Sequence, residues 1–593
     1  MKALILAAGY GNRMRPLTDN LPKTLLEVGG KPIIDRIIDG LTANNVRDIA
    51  VVTGYRHDEL RDHLLRTHPS LKFSFVHNER YRETNNIFSM SLALESLAID
   101  DDIILIESDL VFHPSVIGRL LRNQHPTVAL VDRFRSGMDG TVVAVENGVI
   151  TSVIPPHLQS DTFDYSDKYK TLNIYKFSKE FCATTFKKLL TYYANAIDAN
   201  CYYELILGIL IYMQRETIYA EIVAGESWAE IDDPNDLQNA EFIFNIERRG
   251  ILEGSFGGYW NHDFIDFSFI RNMYFPPPAI ISEMKNVLPS LIHNYGSRQE
   301  KLNQKLAWFL LCRPQCVFLL NGASQVYPLL REYCAGKKML IPAPTFGEYQ
   351  RSFPESATYS DAVGVDAAAV TAASQTADCI VFVNPNNPSG TTIASEWIFA
   401  FARSNPLKTV IVDESFIEFS GMPSLLSLLE KESLPNVIVI KSLSKSLGIP
   451  GIRLGYTYSC NRDYLAYINK HTPIWNINSL AEFTLEVILK YRKELAQSFL
   501  DTKRDRENFA AMLAASRCVE RVFPSGGNYL LVKLSARVPS ARQAVDRLLE
   551  LGVYVKDVSG KFGGRGNYLR VAVRLPDENA LFTDRLEKLA AGT

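Results

Sequence analysis

LAAGYGNRMRPLTDNLPKTLLEV, running from Leu6 to Val28, decides how the first half of this chain is read. The apolar run Ala3–Leu6 that leads into it has the length of a strand, and a loop of small residues follows: Ala7, Ala8, Gly9 and Gly11. Glycine lets backbone N–H groups approach an anion closely, and a basic side chain can then neutralise it. Arg13 closes the loop and Lys23 lies beyond it. A glycine loop alone is weak evidence for phosphate binding; the strand, loop and two cations together are far more specific. Outward from this stretch, short apolar runs alternate with amphipathic segments, the pattern of parallel sheets covered by helices. The runs are Ala3–Leu6, Ile49–Thr53, Phe73–Val76, Ile103–Ile106 and Val128–Val131 in the first half. In the second half they include Val317–Leu320, Met339–Pro342, Ile380–Val383, Val410–Val412 and Val437–Ile440. The fold class is α/β.

At 593 residues the chain is too long for one core, since single domains stop growing at about 250–300 residues. The helical-looking Asp236–Arg249 gives way to GILEGSFGGYW (Gly250–Trp260), which sets the boundary near residue 250 and predicts domains over 1–245 and 246–593. With 47% hydrophobic and 22% charged residues and a formal net charge of -3, the composition is that of a globular protein. It excludes a basic nucleic-acid binder. The eight cysteines are scattered and form no CxxC pair, so reduced thiols are expected rather than a zinc site. No apolar stretch approaches the roughly 20 residues needed to span a bilayer. The opening MKALILAAGYG flows into the glycine loop and reads as a strand, not a signal peptide. A soluble, cytoplasmic chain is expected.

The string Leu6–Val28 closely resembles the signature of nucleoside-triphosphate transferases that activate sugars or choline, over about residues 1–240. The resemblance implies a Rossmann-like sheet, with loop and Lys23 holding the triphosphate beside Arg13. Such enzymes bridge phosphates with a divalent metal such as Mg²⁺, and hard cations prefer carboxylate oxygens. Asp109, ending IILIESD, and Asp232, in WAEIDDPNDL (Trp228–Leu237), match the family's metal-binding aspartates; Asp233 is a neighbouring alternative. The TNNI core of Asn78–Met90, MDGTVV (Met138–Val143), LNIYKF (Leu172–Phe177) and YYE (Tyr202–Glu204) look like phosphocholine cytidylyltransferase rather than the hexose-phosphate branch. By this resemblance the nucleotide is CTP. Aromatics with a carboxylate complement the cationic end of an amino-alcohol phosphate, which singles out Tyr202, Glu204, Trp228 and Asp139; each is equally compatible with ordinary packing. Arg133 is a candidate for the acceptor phosphate or phosphonate.

Six motifs mark the second half. NGASQ (Asn321–Gln325) offers turn amides, Ser324 and Gln325 to a phosphate, and PTFGEY (Pro344–Tyr349) offers Phe346 for stacking. NPNNPSG (Asn384–Gly390) carries Asn387, and VDESFIEF (Val412–Phe419) delivers Asp413 at a strand end. SLSKSLGIPGIRLGY (Ser442–Tyr456) contains Ser442, Lys445 and Arg453, and NYLRVAVR (Asn567–Arg574) alternates like a strand with Arg570 and Arg574. Together and in this order they resemble the class I/II pyridoxal-phosphate enzymes over about residues 255–590, which implies a fold-type I transferase domain. A lysine amine forms a Schiff base with that cofactor's aldehyde, and an aspartate keeps its ring nitrogen protonated. The resemblance gives those roles to Lys445 and Asp413, the cofactor 3-oxygen to Asn387, and the phosphate to Ser324, Ser442 and Arg453. Arg570 matches the carboxylate-binding arginine, and Arg574, further along the same strand and pointing to the same face, is expected to take the phosphate end of a doubly anionic substrate. Tyr295, in HNYGS, resembles the tyrosine that reaches a neighbouring subunit's cofactor and implies a homodimer.

Aminotransferases of the histidinol-phosphate branch carry tyrosine where this chain has Phe416. DESFIEF, PIWNIN (Pro473–Asn478), the IPGIRLGY tail and Arg574 look more like threonine-phosphate decarboxylase, as does the glycine pair of FGGYW (Phe256–Trp260). Fusion suggests successive steps: decarboxylation of O-phosphoserine to phosphoethanolamine, then CMP transfer from CTP to give CDP-ethanolamine. The alternative is an aminotransferase making 2-aminoethylphosphonate, which the first domain joins to CMP. A catalytically dead regulatory module is a third reading, against which Lys23, Asp109, Asp413 and Lys445 all speak.

Overall fold

The computed structural model describes every residue except 136, 161, 592 and 593. The chain forms two compact units, Met1–His262 and Asp263–Thr593. The division lies beyond the sequence boundary near 250 because that boundary falls inside a helix, Arg248–Ser255. Arg248 lies over the Phe242 ring at 5.9 Å, and Phe242 stacks on His262 at 4.0 Å, so this helix and the FGGYW glycines stay with the first unit.

The strands of the first unit's main sheet are β1 (Lys2–Ala7), β2 (Asp48–Thr53), β3 (Lys72–His77), β4 (Ile103–Glu107), β5 (Val128–Arg133), β6 (Val142–Glu146), β7 (Val149–Ile154), β8 (Tyr169–Phe177) and β9 (Tyr219–Ile222). Their spatial order is β3-β2-β1-β4-β8-β5-β9-β7-β6. The pairs joining β1 to β2 and β4, and β2 to β3, are parallel, whereas β8 runs antiparallel to β4 and β5. Successive side chains of a strand point to opposite faces. Along β1, Ala3, Ile5 and Ala7 enter one core and Leu4 and Leu6 the other. Both faces are therefore covered, which is why β1 reads as unbroken apolar sequence. The helix Ile33–Thr42 buries Ile33, Ile34, Ile37, Ile38 and Leu41, a helical stripe, in the first of these cores.

The second unit's large sheet contains β10 (Val317–Asn321), β11 (Met339–Ala343), β12 (Ala357–Ser360), β13 (Cys379–Val383), β14 (Thr409–Asp413), β15 (Val437–Ser442) and β16 (Leu454–Tyr458). Its order is β10-β16-β15-β14-β13-β11-β12, with β16 antiparallel to both neighbours and the other pairs parallel. Val410 and Val412 of β14 face one core and Ile411 the other. A smaller antiparallel sheet follows, β17 (Val519–Val522), β18 (Tyr529–Leu534), β19 (Lys556–Asp557) and β20 (Tyr568–Ala572), in the order β17-β18-β20-β19.

Candidate functional sites

In the first unit, Gly11 holds the left-handed conformation (φ 66°) and starts a one-turn helix over Asn12–Met14, while Thr18 Oγ1 donates to its carbonyl at 2.8 Å. The loop thus turns sharply at the end of β1 and opens onto a cavity of about 610 Å³. Leu6, Ala7, Ala8, Gly9, Gly11, Arg13 and Lys23 all line it. A short strand, Trp228–Glu230, pairs antiparallel with Leu110–Phe112, and the Ile231 N–H donates to the Asp109 carbonyl at 2.9 Å. That pairing brings Asp109 and Asp232 to one place although they are distant in sequence. Lys23 Nζ lies 2.9 Å from Asp109 Oδ2 and 3.0 Å from Asp232 Oδ1, and Arg13 Nη2 lies 2.9 Å from Asp232 Oδ2. Burial pulls the Lys23 ammonium down, but the two carboxylates outweigh it and hold the pKa above the ordinary range. Asp109 Oδ1 is buried without a hydrogen-bond partner. Two carboxylates converging on one cation, one with an unused oxygen, are a donor set that fits a divalent metal.

Asp139, Tyr202 and Glu204 also line the cavity. Beside Glu204 stand Glu107 and Glu230, which the sequence reading missed. Asn86, of the TNNI core, donates to Glu107 Oε1 at 3.0 Å and reaches Glu204 Oε2 at 3.5 Å; Asn173 donates to Glu230 Oε1 at 3.0 Å. Lys170 Nζ, itself buried, pairs with Glu230 Oε2 at 3.0 Å. Burial raises all three carboxyls, and neighbouring carboxylates add to it; Glu230 is pushed up to about 7. Trp228 and Arg133 do not line the cavity, contrary to expectation. The Trp228 indole donates to Asp132 Oδ2 at 2.8 Å, and Arg133 lies over the Tyr169 ring at 5.1 Å.

In the second unit the parallel strands deliver the motifs from their carboxyl ends, where open α/β sheets bind ligands. Asp413 ends β14, Lys445 sits in a single turn (Leu443–Ser446) after β15, and NPNNPSG follows β13. The Asp413 carboxylate is buried; Ser415 donates to Oδ1 through N–H (3.0 Å) and Oγ (2.6 Å), and Tyr349 (2.9 Å) and Tyr327 (3.3 Å) donate to Oδ2. Burial raises its pKa against these bonds. The Ser415 hydroxyl also accepts from the Ser442 N–H at 3.1 Å, tying β14 to β15. Lys445 is lowered to about 8, chiefly by burial and then by Arg570, Arg453 and Arg271. Arg453 donates to Ser324 Oγ at 3.0 Å and adopts φ 66°, left-handed for a residue with a Cβ. A Cβ at Gly322 would overlap that guanidinium.

Arg570, on β20, donates to Asn387 Oδ1 at 3.0 Å and to the Ser268 carbonyl, and its buried Nε has no partner. Gln325 is spent on structure, accepting from Asn321 N–H and donating to Asn476 Oδ1, both at 2.8 Å. Phe346 stands 6.0 Å from the Tyr327 ring. Phe416 packs edge-on against Tyr529 at 5.1 Å. Tyr295 is exposed and stacks on Trp475 at 4.5 Å. Arg574 departs from expectation: β20 ends at Ala572, and the guanidinium forks onto Glu578 (3.0 and 2.8 Å) and donates to the Asp266 carbonyl at 2.9 Å. It is committed to the fold. A buried amine of lowered pKa, a buried acid behind it and an arginine–serine pair fit pyridoxal phosphate.

The model of the aminotransferase class I and II family matches residues 263–581, and that of the MobA-like NTP transferase domain matches 3–163. The CMP-5'-(3-aminopropyl)phosphonate synthase of Streptomyces rubellomurinus is 28% identical over 100% of this chain and 95% of its own. The L-serine phosphate decarboxylase of Sulfurospirillum multivorans is 29% identical over 50% of this chain and 79% of its own. Among solved structures, a decarboxylase from Sulfurospirillum multivorans has a TM-score of 0.51 at 26% identity, covering 58% of this chain and 92% of that one. The L-threonine-O-3-phosphate decarboxylase of Porphyromonas gingivalis shares the fold, with a TM-score of 0.50 at 23% identity over 55% of this chain and 99% of that one. The second unit has the fold-type I architecture of pyridoxal-phosphate-dependent transferases. No helix among the described residues is long and apolar enough to cross a membrane.

Proposed function

The chain belongs to the aminotransferase class I and II family, and we propose that it is a bifunctional enzyme making an activated amino-alkyl phosphate or phosphonate. The second unit decarboxylates O-phosphoserine, or a short amino acid ending in phosphonate. The first unit then transfers CMP from CTP to the product's phosphorus oxygen, breaking the α–β anhydride bond and releasing pyrophosphate, which gives CDP-ethanolamine from phosphoethanolamine. The observation that carries this is the composition of one cavity wall: an anion loop with Lys23 and Arg13 shares about 610 Å³ with three glutamates, Glu204 buried and Glu107 and Glu230 half-buried. Only a ligand bearing both phosphate and a cation uses both halves. An ammonium meets the glutamates, and the phosphate meets the loop and a divalent ion such as Mg²⁺, held by Asp109 and Asp232.

In the second unit the bound pyridoxal phosphate supplies an electron sink for loss of the substrate's carboxylate. Asp413 holds a proton at the ring nitrogen, supported by Ser415, Tyr327 and Tyr349. Lys445, mostly unprotonated above pH about 8, offers its amine to the aldehyde. Ser324, Ser442 and Arg453 grip the cofactor phosphate, Asn387 the 3-oxygen and Arg570 the substrate carboxylate. Tyr295 lends itself to a partner subunit in a homodimer.

The full-length similarity to an aminopropylphosphonate synthase favours a phosphonate acceptor as the second reading. Incubation with O-phosphoserine, or its phosphonate counterpart, plus CTP and Mg²⁺, with products read by mass, decides between them. Carbon dioxide release without a keto acid supports the decarboxylase; turnover only with an added keto acid establishes the aminotransferase instead.

A further inference from the structure

The segment Asp266–Asn272 threads between the reactive lysine and the carboxylate-binding arginine. The Asn272 N–H donates to the Lys445 carbonyl at 3.0 Å, and Asn272 Nδ2 to the Ser446 carbonyl at 2.9 Å. At its other end, the Ser268 carbonyl accepts from Arg570. Arg271 lies between these two anchors, so its side chain starts beside both. Its guanidinium is about a third exposed, and its only ion pair among the described residues is a loose one to Asp266 Oδ2 at 3.7 Å, beyond hydrogen-bond range. Asp266 is already engaged: Oδ1 accepts from Ser268 N–H (2.8 Å), Ser268 Oγ (2.6 Å) and Phe269 N–H (3.2 Å).

Charge accounting then becomes informative. Arg570, Arg453 and Arg271 all bear on Lys445, opposed by the Asp266 carboxylate. Two of the three have ligands in the reading above, the substrate carboxylate and the cofactor phosphate. The third, with Arg574 and the Asp266 and Glu578 carboxylates in its surroundings, donates no side-chain hydrogen bond among the described residues. Arg574, expected from sequence to fill that role, is locked by Glu578. Lys561, another cation nearby but an exposed residue, donates to the Thr345 carbonyl. A guanidinium presents a planar fork of donors that matches tetrahedral phosphorus oxygens.

We propose that Arg271 binds the phosphate or phosphonate end of the second unit's amino-acid substrate and so sets its preference for a doubly anionic substrate. This rests on the reading that the second unit acts on such amino acids. The test uses the full chain loaded with pyridoxal phosphate, and compares O-phosphoserine with serine. Arg271→Gln lowers kcat/KM for O-phosphoserine by about a hundredfold, mostly through KM, while serine is affected far less; Arg271→Lys restores part of the loss. Competitive inhibition by inorganic phosphate weakens in parallel in Arg271→Gln, and the variant's unchanged circular dichroism and cofactor absorbance show that it is folded and loaded. Equal losses for both amino acids, or undiminished phosphate inhibition, overturn the assignment of Arg271 alone. A wild-type protein that prefers serine to O-phosphoserine overturns the substrate reading, and the proposal with it.

Discussion

Lys23 and Asp109 form an ion pair of 2.9 Å, and the same ammonium reaches Asp232 at 3.0 Å. On the proposed reading Asp109 and Asp232 would hold a divalent ion, leaving the Lys23 charge for the triphosphate. Asp109→Asn therefore lowers nucleotidyl transfer roughly a hundredfold or more, and raises the Mg²⁺ concentration for half-maximal rate. Decarboxylation by the second unit, measured in the same preparation, stays at the wild-type rate.

Lys445 lies in the turn that follows β15, and its pKa is drawn down to about 8. Lys445→Ala should lose the long-wavelength cofactor absorbance that borohydride abolishes in the wild type. A variant that keeps a borohydride-sensitive band would move the assignment to another lysine.

Glu230, at about 7, gives the acceptor site a pH dependence. Below that pH its carboxyl is protonated and attracts an ammonium weakly; above it the carboxylate is charged. Affinity for phosphoethanolamine, measured by calorimetry, should rise from pH 6 to pH 8. Stability runs the other way. A carboxyl whose folded pKa is raised contributes fully below the unfolded value near 4.5, and that contribution is lost as pH rises through 7. The ligand-free protein should thus melt lower at pH 8 than at pH 6, and Glu230→Gln should flatten both trends.

Arg574 holds the end of β20 to the last helix through Glu578 and to Asp266 through its carbonyl. Arg574→Met strands a partly buried carboxylate and should cost about 2–3 kcal/mol of stability, read by denaturant unfolding. The preference for O-phosphoserine over serine should be unaffected.

The sheets were legible because their strands are buried on both faces: each of the ten apolar runs lies within an observed strand. The strands from Val142 to Ile222 were harder to read, since they include charged and half-buried positions such as Lys170, Lys176 and Glu221. The Lys445 and Asp109 neighbourhoods could be read from strand-end motifs, in which a few adjacent residues carry the chemistry. Residues recruited from far away could not. Glu107 and Glu230 become an acidic wall only because β4 and the Trp228–Glu230 strand meet at one cavity. Arg574 shows the opposite error. Period-two reasoning places it on the Arg570 face only while the strand continues, and the strand stops first.

Gly322 and Arg453 share one volume: the glycine's missing Cβ leaves the space the guanidinium fills, and Arg453 accepts a left-handed backbone to fill it. Replacing Gly322 by alanine evicts the arginine, and shortening Arg453 clears that overlap but leaves the backbone at φ 73°, ψ 152°, where only glycine sits without strain. In laboratory evolution position 322 should therefore stay glycine even in chains where Arg453 has been shortened. The constraint on 322 thus outlasts the arginine it accommodates.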